Sequence, residues 1–482
     1  MAPVAVSSER PRAGIGMSSA QIEKLRIHMV GIGGCGMSGL AALLLRRGAR
    51  VSGSDVRPSR ELTRLTERGA RVTTTQHAES VPHDADVVVI SAAIPPDHPE
   101  RVEAERRGLQ VIKYAELLGL LMSRYDGIAI SGTHGKSTTT AWLTYVLRRA
   151  GLDPSFVVGA TVEQLGGGSG AGDGAHFIVE ACEYDRSFLN LTPRRAAILN
   201  IEEDHLDCYH DLNAIQQAFT AFASHVPPDG LIVLNGQDAR CRALADTVAA
   251  RVQTYGAADG VTWQAVNIAL DGGHYTFEVR HADHIHGPLR LGIPGRHNVD
   301  NALAVIALAR DCGVAWEPLE VGLAEFRGVH RRLEPRGHVG GVHVLDDYAH
   351  HPTEIRATLL AARERYAPRR LWCVFQPHQH SRTRFLLADF ARSFTQADEV
   401  LVPDIYFVRD SAREREMVCA QDLVTRIDAH GGHARYLPDF AEIVALLARD
   451  VRPGDVVLTM GAGNIWKVAD DLVQRLGGDL PA

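Results

Sequence analysis

Residues 131–140 read Ser-Gly-Thr-His-Gly-Lys-Ser-Thr-Thr-Thr, and they indicate the architecture of the central part of the chain. The apolar segment 127–130 before it predicts a short buried strand, and the apolar spacing after it predicts a helix that ends at Gly151. A glycine loop between a strand and a helix surrounds a phosphate with backbone N–H groups and the positive end of the helix. Lys136 would then reach the β- and γ-phosphates, and the Ser137 hydroxyl would bind Mg²⁺. The alternative is an ordinary strand-to-helix turn that contains Gly-Lys-Ser by chance.

This loop is shorter than the standard P-loop, because Ile130 stands where that pattern requires its first glycine. The spacing here is Gly132-Thr-His-Gly135-Lys136-Ser137. A loop of the form Gly-Thr-x-Gly-Lys-[Ser/Thr] resembles the Mur ligase superfamily, which includes the folylpolyglutamate synthetases. The resemblance implies an enzyme that uses ATP to join a carboxylate to an amine.

Composition excludes several other classes of protein. The 482 residues suggest about three domains, and a net charge of −7 gives no reason to bind nucleic acid or an anionic membrane. The longest apolar runs, such as 87–90, are far shorter than the ~20 residues of a membrane span, and residues 1–20 lack the apolar core of a signal peptide. Seven cysteines without a C-x-x-C pair fit a reducing cytoplasm better than a disulfide framework. We therefore expect a cytoplasmic protein.

Alternating strand and helix patterns predict an α/β fold with parallel sheets. We expect a flexible tail over residues 1–24, a Rossmann-like domain over 25–122, a central P-loop ATPase domain over 123–329 and a Rossmann-like α/β domain over 330–482. The predicted strands include 26–30, 177–180, 196–200, 371–375 and 455–459, and the predicted helices include 37–47, 301–310 and 352–365.

A second glycine motif opens the first domain. Gly31-x-Gly33-x-x-Gly36 fits the dinucleotide fingerprint, and Asp55 follows at the expected distance. The motif alone leaves three interpretations: a nicotinamide dehydrogenase, a domain that holds the diphosphate of a nucleotide-sugar, and a tight turn without a ligand. The phosphate loop of the central domain favours the second interpretation, because a simple dehydrogenase does not need it.

Acidic residues follow two strands of the predicted central sheet. Glu180 closes one strand, and Asp204 and His205 follow the next. Ligands bind at the carboxyl ends of strands in such sheets, and carboxylates near an ATP loop commonly hold Mg²⁺. A histidine ligand would also accept Mn²⁺. The alternative is a set of solvated loop acids.

Two further clusters lie in the last domain. His350 and His351 follow the pair Asp346-Asp347 at a strand-to-helix turn, which is either a site or a helix start with exposed imidazoles. Arg382 and Arg384 follow a strand and would suit a carboxylate or a phosphate, or else belong to a solvated charged face.

A histidine tract in the central domain resembles a metal site by its spacing. It reads His281-x-x-His284-x-His286 and lies in an alternating strand or hairpin without cysteines or clustered carboxylates. We therefore interpret these side chains as solvent-exposed histidines.

Taken together, the motifs resemble the Mur ligase family from about residue 27 to residue 467. Many separate motifs in the family's order are more specific than any one of them. Besides the two glycine loops, they are Ser52-Gly-Ser-Asp55, Ser91-Ala-Ala-Ile94, Asn200-Ile-Glu-x-Asp-His205, Gly295-Arg-His-Asn-x-x-Asn301, Arg331-Arg332, Asp346-Asp-Tyr-Ala-His-His-Pro352 and Gly461-Ala-Gly-Asn-Ile465.

The resemblance also implies roles for individual residues. The UDP part of a nucleotide-sugar would be held by Gly33, Gly34, Gly36, Asp55 and Ser91. ATP would be bound by Gly132, Thr133, His134, Gly135, Lys136, Ser137, Thr138, Asn298, Asn301, Arg332 and Asp346. The metal would be held by Ser137, Glu180 and His205. Arg382 and Arg384 would bind the substrate, and the catalytic groups would be Lys136, His205, Arg332 and His350.

The activity implied is the ATP-dependent joining of L-alanine to the carboxylate of UDP-N-acetylmuramate through an acyl phosphate, in peptidoglycan precursor synthesis. It would require Mg²⁺, for which Mn²⁺ could substitute, and it would involve no nucleic acid, membrane or obligate protein partner. The segment Glu180-Ala-Cys182-Glu-Tyr184 departs from the family pattern and resembles in part a ligase that recycles intact tripeptides. That ligase, a nicotinamide-dependent oxidoreductase and a nucleotide-switch protein stay open as alternatives. The base that deprotonates the amine stays open between His205 and His350.

Overall fold

The computed structural model describes residue 22 and residues 24–205, 208–408 and 410–480. The predicted flexible tail, residues 1–24, therefore falls outside the described residues except for residues 22 and 24. The chain divides into two compact units, one formed by Met1–Tyr125 with Ser169–Ala171 and the other by Asp126–Gly168 with Gly172–Ala482.

The first unit is built on a parallel sheet with the strand order β3-β2-β1-β4-β5. This is the order of a Rossmann-like half-fold, in which ligands bind where the order reverses, here between β1 and β4. Its strands are β1 (Arg26–Val30), β2 (Arg50–Ser54), β3 (Arg71–Thr73), β4 (Val87–Ile90) and β5 (Gln110–Lys113). Its helices are α1 (Cys35–Arg46), α2 (Arg60–Glu67), α3 (Pro99–Arg106) and α4 (Tyr114–Met122).

The second unit begins with a large sheet, named here the central sheet, in the order β15-β14-β13-β12-β11-β10-β6-β9-β7. Pairing is parallel from β7 to β13 and antiparallel from β13 to β15. Its strands are β6 (Asp126–Ser131), β7 (Ser155–Val157), β9 (His176–Glu180), β10 (Arg195–Ile198), β11 (Leu231–Asn235), β12 (Arg251–Gly256), β13 (Trp263–Asp271), β14 (His274–His281) and β15 (His284–Arg290). The short strand β8 (Ser169–Gly170) follows β7 in the chain and belongs to the first unit. Its helices are α5 (Lys136–Arg149), α6 (Leu212–Ala223), α7 (Ala239–Leu244), α8 (His297–Asp311) and α9 (Trp316–Glu325).

A further sheet of the second unit, the C-terminal sheet, has the order β16-β17-β21-β18-β19-β20 and is parallel except for the pair β16–β17. Its strands are β16 (Glu334–Val339), β17 (Val342–Asp347), β18 (Leu371–Phe375), β19 (Glu399–Val402), β20 (Ala434–Tyr436) and β21 (Val456–Met460). Its helices are α10 (Pro352–Tyr366), α11 (His380–Phe385), α12 (Leu387–Ala391), α13 (Ala412–Met417), α14 (Ala420–Ala429), α15 (Phe440–Asp450) and α16 (Trp466–Arg475).

Helix α5 is anchored by apolar burial, which positions the loop that precedes it. Trp142 is fully buried, stacks on Phe326 at a centroid distance of 5.3 Å and donates its indole N–H to the Gly322 carbonyl at 3.2 Å. A buried tryptophan whose N–H has an acceptor combines a large apolar area with a satisfied polar group. The helix therefore presents a fixed N-terminus at the carboxyl end of β6.

Candidate active site

The loop between β6 and α5 has a conformation that requires glycine at two positions. Gly132 has a φ of 139° and Gly135 a φ of 82°, values that L side chains rarely adopt. A Cβ atom on Gly135 would lie 2.8 Å from the Asn301 side-chain oxygen, and one on Gly132 would lie 3.1 Å from the backbone nitrogen of Asn200. The glycines therefore let the loop lie against its neighbours and leave the N-terminus of α5 as an anion site.

The loop is tied to the segment that follows β10. The His134 N–H donates to Asn200 Oδ1 at 2.7 Å, and Asn200 Nδ2 donates to the His134 carbonyl at 3.2 Å. The Glu202 N–H donates to Thr133 Oγ1 at 2.8 Å. These bonds hold the loop in place before any ligand binds, which lowers the cost of ordering it around a phosphate.

Lys136 lies folded over the loop. Its Nζ donates to the carbonyls of Gly132 at 2.5 Å and Thr133 at 3.0 Å, and it lies 2.9 Å from Glu183 Oε2. Burial opposes the charged ammonium, but the Glu183 carboxylate outweighs it and raises the pKa of Lys136 above its ordinary value. The side chain is therefore a cation beside the anion site, and its predicted contact with the β- and γ-phosphates stays a prediction.

Ser137 and Glu180 form an oxygen-rich corner at the start of α5. Ser137 Oγ donates to Glu180 Oε1 at 3.0 Å, and the Gly159 N–H donates to Glu180 Oε2 at 2.6 Å. A Cβ atom on Gly159 would lie 2.9 Å from either carboxylate oxygen, so that position needs glycine for the carboxylate to lie there. A hydroxyl beside an oriented carboxylate fits a hard cation such as Mg²⁺.

His205 has other neighbours in this structure. Its Nε2 lies 3.8 Å from Glu183 and 3.8 Å from Asp204, and its ring contacts Tyr184 edge-on at 5.0 Å between centroids. His205 also has a positive φ of 54°, which is uncommon for a residue other than glycine. Within the described residues its neighbours are Glu183, Asp204 and Tyr184 rather than Ser137 or Glu180, so its role as a metal ligand stays a prediction.

A cavity of about 360 Å³ lies between the phosphate loop and the C-terminal sheet. That volume is within the range of small-molecule sites, ~300–1,000 Å³. The predicted site residues that line it are His134, Gly135, Thr138, Asn298, Asn301 and Arg332. Asn301 Nδ2 donates to Asn298 Oδ1 at 2.9 Å, so the two amides present one fixed polar edge to the cavity. Six of the eleven residues predicted to bind ATP thus line one cavity, and their contact with ATP stays a prediction.

Asp346 is not part of this cavity, which corrects its predicted place in the ATP site. Its carboxylate accepts from Arg331 Nε at 2.7 Å and from Thr459 Oγ1 at 2.7 Å. The neighbouring Asp347 lines the cavity instead, because successive strand residues point to opposite faces. Burial raises the pKa of Asp347 to about 6 against the opposing charge of Arg332.

The cavity wall also contains a cluster of histidines and carboxylates. His134 Nδ1 lies 3.2 Å from Glu354 Oε1, and His134 Nε2 lies 3.6 Å from Glu202 Oε2. Burial opposes a charge on His134, but both carboxylates outweigh it and raise its pKa to about 9, while His134 in turn lowers the pKa of Glu202 to about 2. His351 completes the cluster, with its ring centroid 4.6 Å from that of His134.

Arg382 and Arg384 do not act as a pair in this structure. Arg382 is buried and donates to Asp204 Oδ1 through Nε at 3.1 Å and through Nη2 at 2.7 Å. Arg384 donates to both Glu414 oxygens, each at 3.1 Å. The two arginines diverge because residues two apart on a helix do not face the same side. A shared guanidinium clamp is therefore absent from this conformation of the described residues.

We expect the two arginines to differ sharply in their effect on stability. Arg382→Ala should lower the free energy of unfolding by about 3–5 kcal/mol, because it leaves Asp204 buried without its partner. Arg384→Ala, on the same helix, should cost less than about 1 kcal/mol, because its ion pair is partly exposed. Urea unfolding of both variants measures the difference, and equal losses would contradict this assignment. Asp204→Asn combined with Arg382→Met should recover most of the loss.

His350 lies at the start of α10 with one ring nitrogen engaged. Its Nδ1 is 3.0 Å from the Tyr348 carbonyl, so a proton on that nitrogen has an acceptor and Nε2 keeps its lone pair. Burial lowers the pKa of His350 to about 4 although Glu354 opposes the shift. The imidazole is therefore neutral at pH 7.

The glycine loop of the first unit is closed by Asp55. The Gly33 N–H donates to Asp55 Oδ2 at 2.9 Å, and the Arg57 N–H donates to Asp55 Oδ1 at 3.1 Å. A Cβ atom on Gly36 would lie 2.9 Å from the Tyr114 hydroxyl, so α1 requires glycine there. A Cβ atom on Gly31 would lie 3.1 Å from Ser91 Oγ, which places Ser91 beside the same loop. The predicted residues of this motif thus lie together at the switch point of the sheet.

The histidine tract of β14 and β15 is only partly exposed, unlike the prediction. His284 is exposed, but His281 stacks on Trp263 at 3.8 Å between centroids and His286 stacks on Trp316 at 4.0 Å. The tryptophans bury the faces of these rings, which explains the difference.

Several residues of the site were missed in the sequence analysis. Glu183 and Gly159 hold Lys136 and Glu180, and Glu202, Asp347 and Glu354 line the cavity. Glu183, Glu202 and Asp347 lie within sequence motifs of the family, so those motifs were a usable signal for them. Gly159 and Glu354 carry no local signal, because their partners are distant in the chain.

Comparison with known proteins identifies related sequences and structures along nearly the whole chain. Three family models match successive regions: the Mur ligase family catalytic domain over residues 26–126, the Mur ligase middle domain over 130–309 and the glutamate ligase domain over 331–463. A UDP-N-acetylmuramate–L-alanine ligase of Caldanaerobacter subterraneus subsp. tengcongensis is 43% identical over 93% of this chain and 97% of its own.

Two solved structures are also similar. A UDP-N-acetylmuramate–alanine ligase from Thermotoga maritima superposes with a TM-score of 0.79 at 29% identity, covering 94% of this chain and 99% of that one. A murein peptide ligase from Psychrobacter arcticus gives a TM-score of 0.69 at 27% identity, covering 95% of this chain and 100% of that one. No helix in the described part of the chain is long and apolar enough to cross a membrane. The predicted three-domain α/β architecture is confirmed, and the chain belongs to the Mur ligase family.

Proposed function

We propose that this protein is an ATP-dependent ligase that joins L-alanine to the carboxylate of UDP-N-acetylmuramate in peptidoglycan precursor synthesis. The observation that carries the proposal is the cavity in which the phosphate loop, Arg332 and Asp347 face one another. The relatives that match along nearly the whole chain support the choice of substrates. The proposal includes a cytoplasmic location, where ATP is available, and no requirement for a protein partner.

The first step is the activation of the carboxylate. One carboxylate oxygen attacks the γ-phosphorus of ATP, the new O–P bond forms, and the bond to the bridging oxygen of ADP breaks. Lys136 at the loop and Arg332 across the cavity supply positive charge to the transferring phosphoryl group. Such a reaction depends mostly on positioning and charge stabilisation.

The second step forms the amide. The amine nitrogen attacks the acyl carbon, phosphate leaves with the electron pair of the C–O bond, and the nitrogen loses a proton. We assign the role of base to His350 rather than to His205, because its Nε2 keeps a lone pair when Nδ1 donates to the Tyr348 carbonyl. Both steps need a site without bulk water, since the acyl phosphate would otherwise hydrolyse.

Mg²⁺ belongs to the proposal, with Ser137 and Glu180 as the side chains that fit it and His205 as a further predicted ligand. When bound, it would neutralise charge on the phosphates, and Mn²⁺ would be accepted where an imidazole takes part. The first unit would hold the UDP part of the substrate through Gly33, Gly34, Gly36, Asp55 and Ser91.

A second candidate is the ligation of an intact tripeptide to UDP-N-acetylmuramate. It is favoured by the Glu180-Ala-Cys182-Glu-Tyr184 segment and by the structural similarity to a murein peptide ligase. A nicotinamide-dependent oxidoreductase is disfavoured, because it would leave the phosphate loop without a role.

The choice of amine tests the proposal. With ATP and UDP-N-acetylmuramate present, we expect kcat/KM to be highest for L-alanine, lower for L-serine and glycine, and at background for L-Ala-γ-D-Glu-diaminopimelate. A missing methyl group is worth only ~1–3 kcal/mol of binding free energy in an apolar pocket, and such a pocket rejects an added hydroxyl weakly. We therefore expect measurable turnover of both glycine and L-serine. The rate of ADP release, measured with each of the four acceptors, gives this order of kcat/KM. A tripeptide that exceeds L-alanine would replace the proposal with the second candidate.

A further inference from the structure

His134, Glu202 and His351 form a three-ligand group whose donor atoms all lie within 4.8 Å of one another. They come from three places in the second unit: the phosphate loop, the segment after β10 and the residue before α10. His351 is buried, and the other two are at least half-buried. We propose that this group binds a borderline divalent transition-metal ion of the Zn²⁺ class, at a site separate from the Ser137–Glu180 corner.

The distances between the ligand atoms fit shared ligation better than hydrogen bonding. His134 Nε2 lies 3.6 Å and His351 Nδ1 lies 3.8 Å from the same atom, Glu202 Oε2. Both are too long for a hydrogen bond. Two ligands at about 2.0–2.1 Å from one tetrahedral ion lie about 3.4 Å apart, so a small inward movement of the side chains completes the geometry.

The nitrogen of His134 that faces the group has no other partner. His134 Nε2 is buried and makes no hydrogen bond within the described residues. Without a metal ion this nitrogen faces only Glu202 Oε2 at 3.6 Å, and an ion that displaces its proton would give the buried atom a close partner. His351 Nδ1 accepts only a long contact from the Thr353 N–H at 3.3 Å, which a metal ion would replace.

The outer nitrogens of both histidines are held as in metal sites. His134 Nδ1 faces Glu354 Oε1 at 3.2 Å, and His351 Nε2 faces the Glu203 carbonyl at 3.1 Å. Ligating histidines usually donate their remote N–H to a carboxylate or a backbone carbonyl, which fixes the tautomer that binds the ion. The third ligand is oriented too, because Thr353 Oγ1 donates to Glu202 Oε2 at 2.7 Å.

The ligand set selects the class of ion. Two imidazoles and one carboxylate suit Zn²⁺, Co²⁺ or Ni²⁺, whereas Mg²⁺ prefers oxygen ligands and an octahedral shell. Three protein ligands leave a fourth position open. His134 and Glu202 also line the cavity, so an ion bound here would join the phosphate loop to the start of α10 at the edge of that cavity. This inference rests on the geometry of the group and not on the proposed ligase reaction.

Zn²⁺ binding to the full-length, untagged chain tests the proposal. Calorimetry without nucleotide, in the presence of millimolar Mg²⁺, should show one Zn²⁺ per chain, and Co²⁺ should give the visible absorption of tetrahedral coordination. Glu202→Gln and His351→Ala should each weaken Zn²⁺ binding by at least about 100-fold. Zn²⁺ should also raise the unfolding temperature of the unmodified protein.

Three further variants keep the result interpretable. His284→Ala removes an exposed histidine and should leave Zn²⁺ binding unchanged, as should Glu180→Gln at the Mg²⁺ corner. His351→Cys supplies a thiolate and should retain binding if His351→Ala fails to fold. Unchanged Zn²⁺ affinity in Glu202→Gln and His351→Ala, or displacement of Zn²⁺ by millimolar Mg²⁺, would overturn the proposal. These measurements do not depend on turnover, so failure of the proposed function would leave them intact.

Discussion

Lys136→Met should reduce kcat for ATP-dependent ligation by about 10³-fold and leave the affinity for UDP-N-acetylmuramate within about twofold. In the unmodified protein the Lys136 ammonium would neutralise charge on the transferring phosphoryl group. Removing one preorganised donor from such a site lowers kcat by ~10²–10³-fold or more. The nucleotide-sugar is proposed to bind the first unit, which does not contain Lys136. Steady-state ADP release and calorimetry with UDP-N-acetylmuramate measure the two effects.

The variant also changes stability, which the control must separate from catalysis. Glu183 is buried beside Lys136 and would lose its partner, at a cost of about 3–5 kcal/mol. Adding Glu183→Gln should restore stability without restoring turnover. Lys467→Met, at an exposed lysine, should be neutral in both measurements. Loss of UDP-N-acetylmuramate affinity in a folded Lys136→Met protein would contradict the assignment of the two nucleotides to separate sites.

Local sequence patterns predicted the limits of short apolar strands well. The predicted strand 371–375 is observed with the same limits as β18, and the strand 26–30 as β1. Helix α8 begins at His297 rather than at the predicted residue 301, because Arg296 precedes it and supplies no side-chain cap that would mark the start. Helix starts without a Ser, Thr, Asp or Asn cap are the boundaries that pattern reasoning misses.

The site was predictable only as far as it follows from strand ends and loop motifs. The phosphate loop and Glu180 lie at the carboxyl ends of neighbouring parallel strands, and this topology brings them together. The contacts from Arg382 to Asp204 and from Thr353 to Glu202 join residues 178 and 151 positions apart, and no local pattern encodes them. Asp347 rather than the predicted Asp346 lines the cavity. Strand alternation puts the two side chains on opposite faces of the sheet, but the sequence does not show which face lines the cavity.

Glu180→Gln should raise the Mg²⁺ concentration needed for half-maximal activity by about 10- to 100-fold or more. The substitution keeps the shape of the Ser137–Glu180 corner, because the amide oxygen can still accept from the Gly159 N–H and the amide NH₂ can donate to Ser137 Oγ. It removes only the negative charge that a hard cation requires. A Mg²⁺ titration of ligation at saturating ATP and alanine gives the shift directly.

Two comparisons make that shift specific. Glu163→Gln, at an exposed glutamate of the same unit, should leave the Mg²⁺ titration unchanged. His205→Asn should weaken activation by Mn²⁺ more than activation by Mg²⁺ if the imidazole is a ligand, because nitrogen ligands favour Mn²⁺ over Mg²⁺. An unaltered titration in Glu180→Gln would remove this carboxylate from the metal site and leave its bond to Gly159 as a structural role. Equal losses with both ions in His205→Asn would instead place His205 outside the metal shell, in keeping with its position beside Glu183 and Asp204.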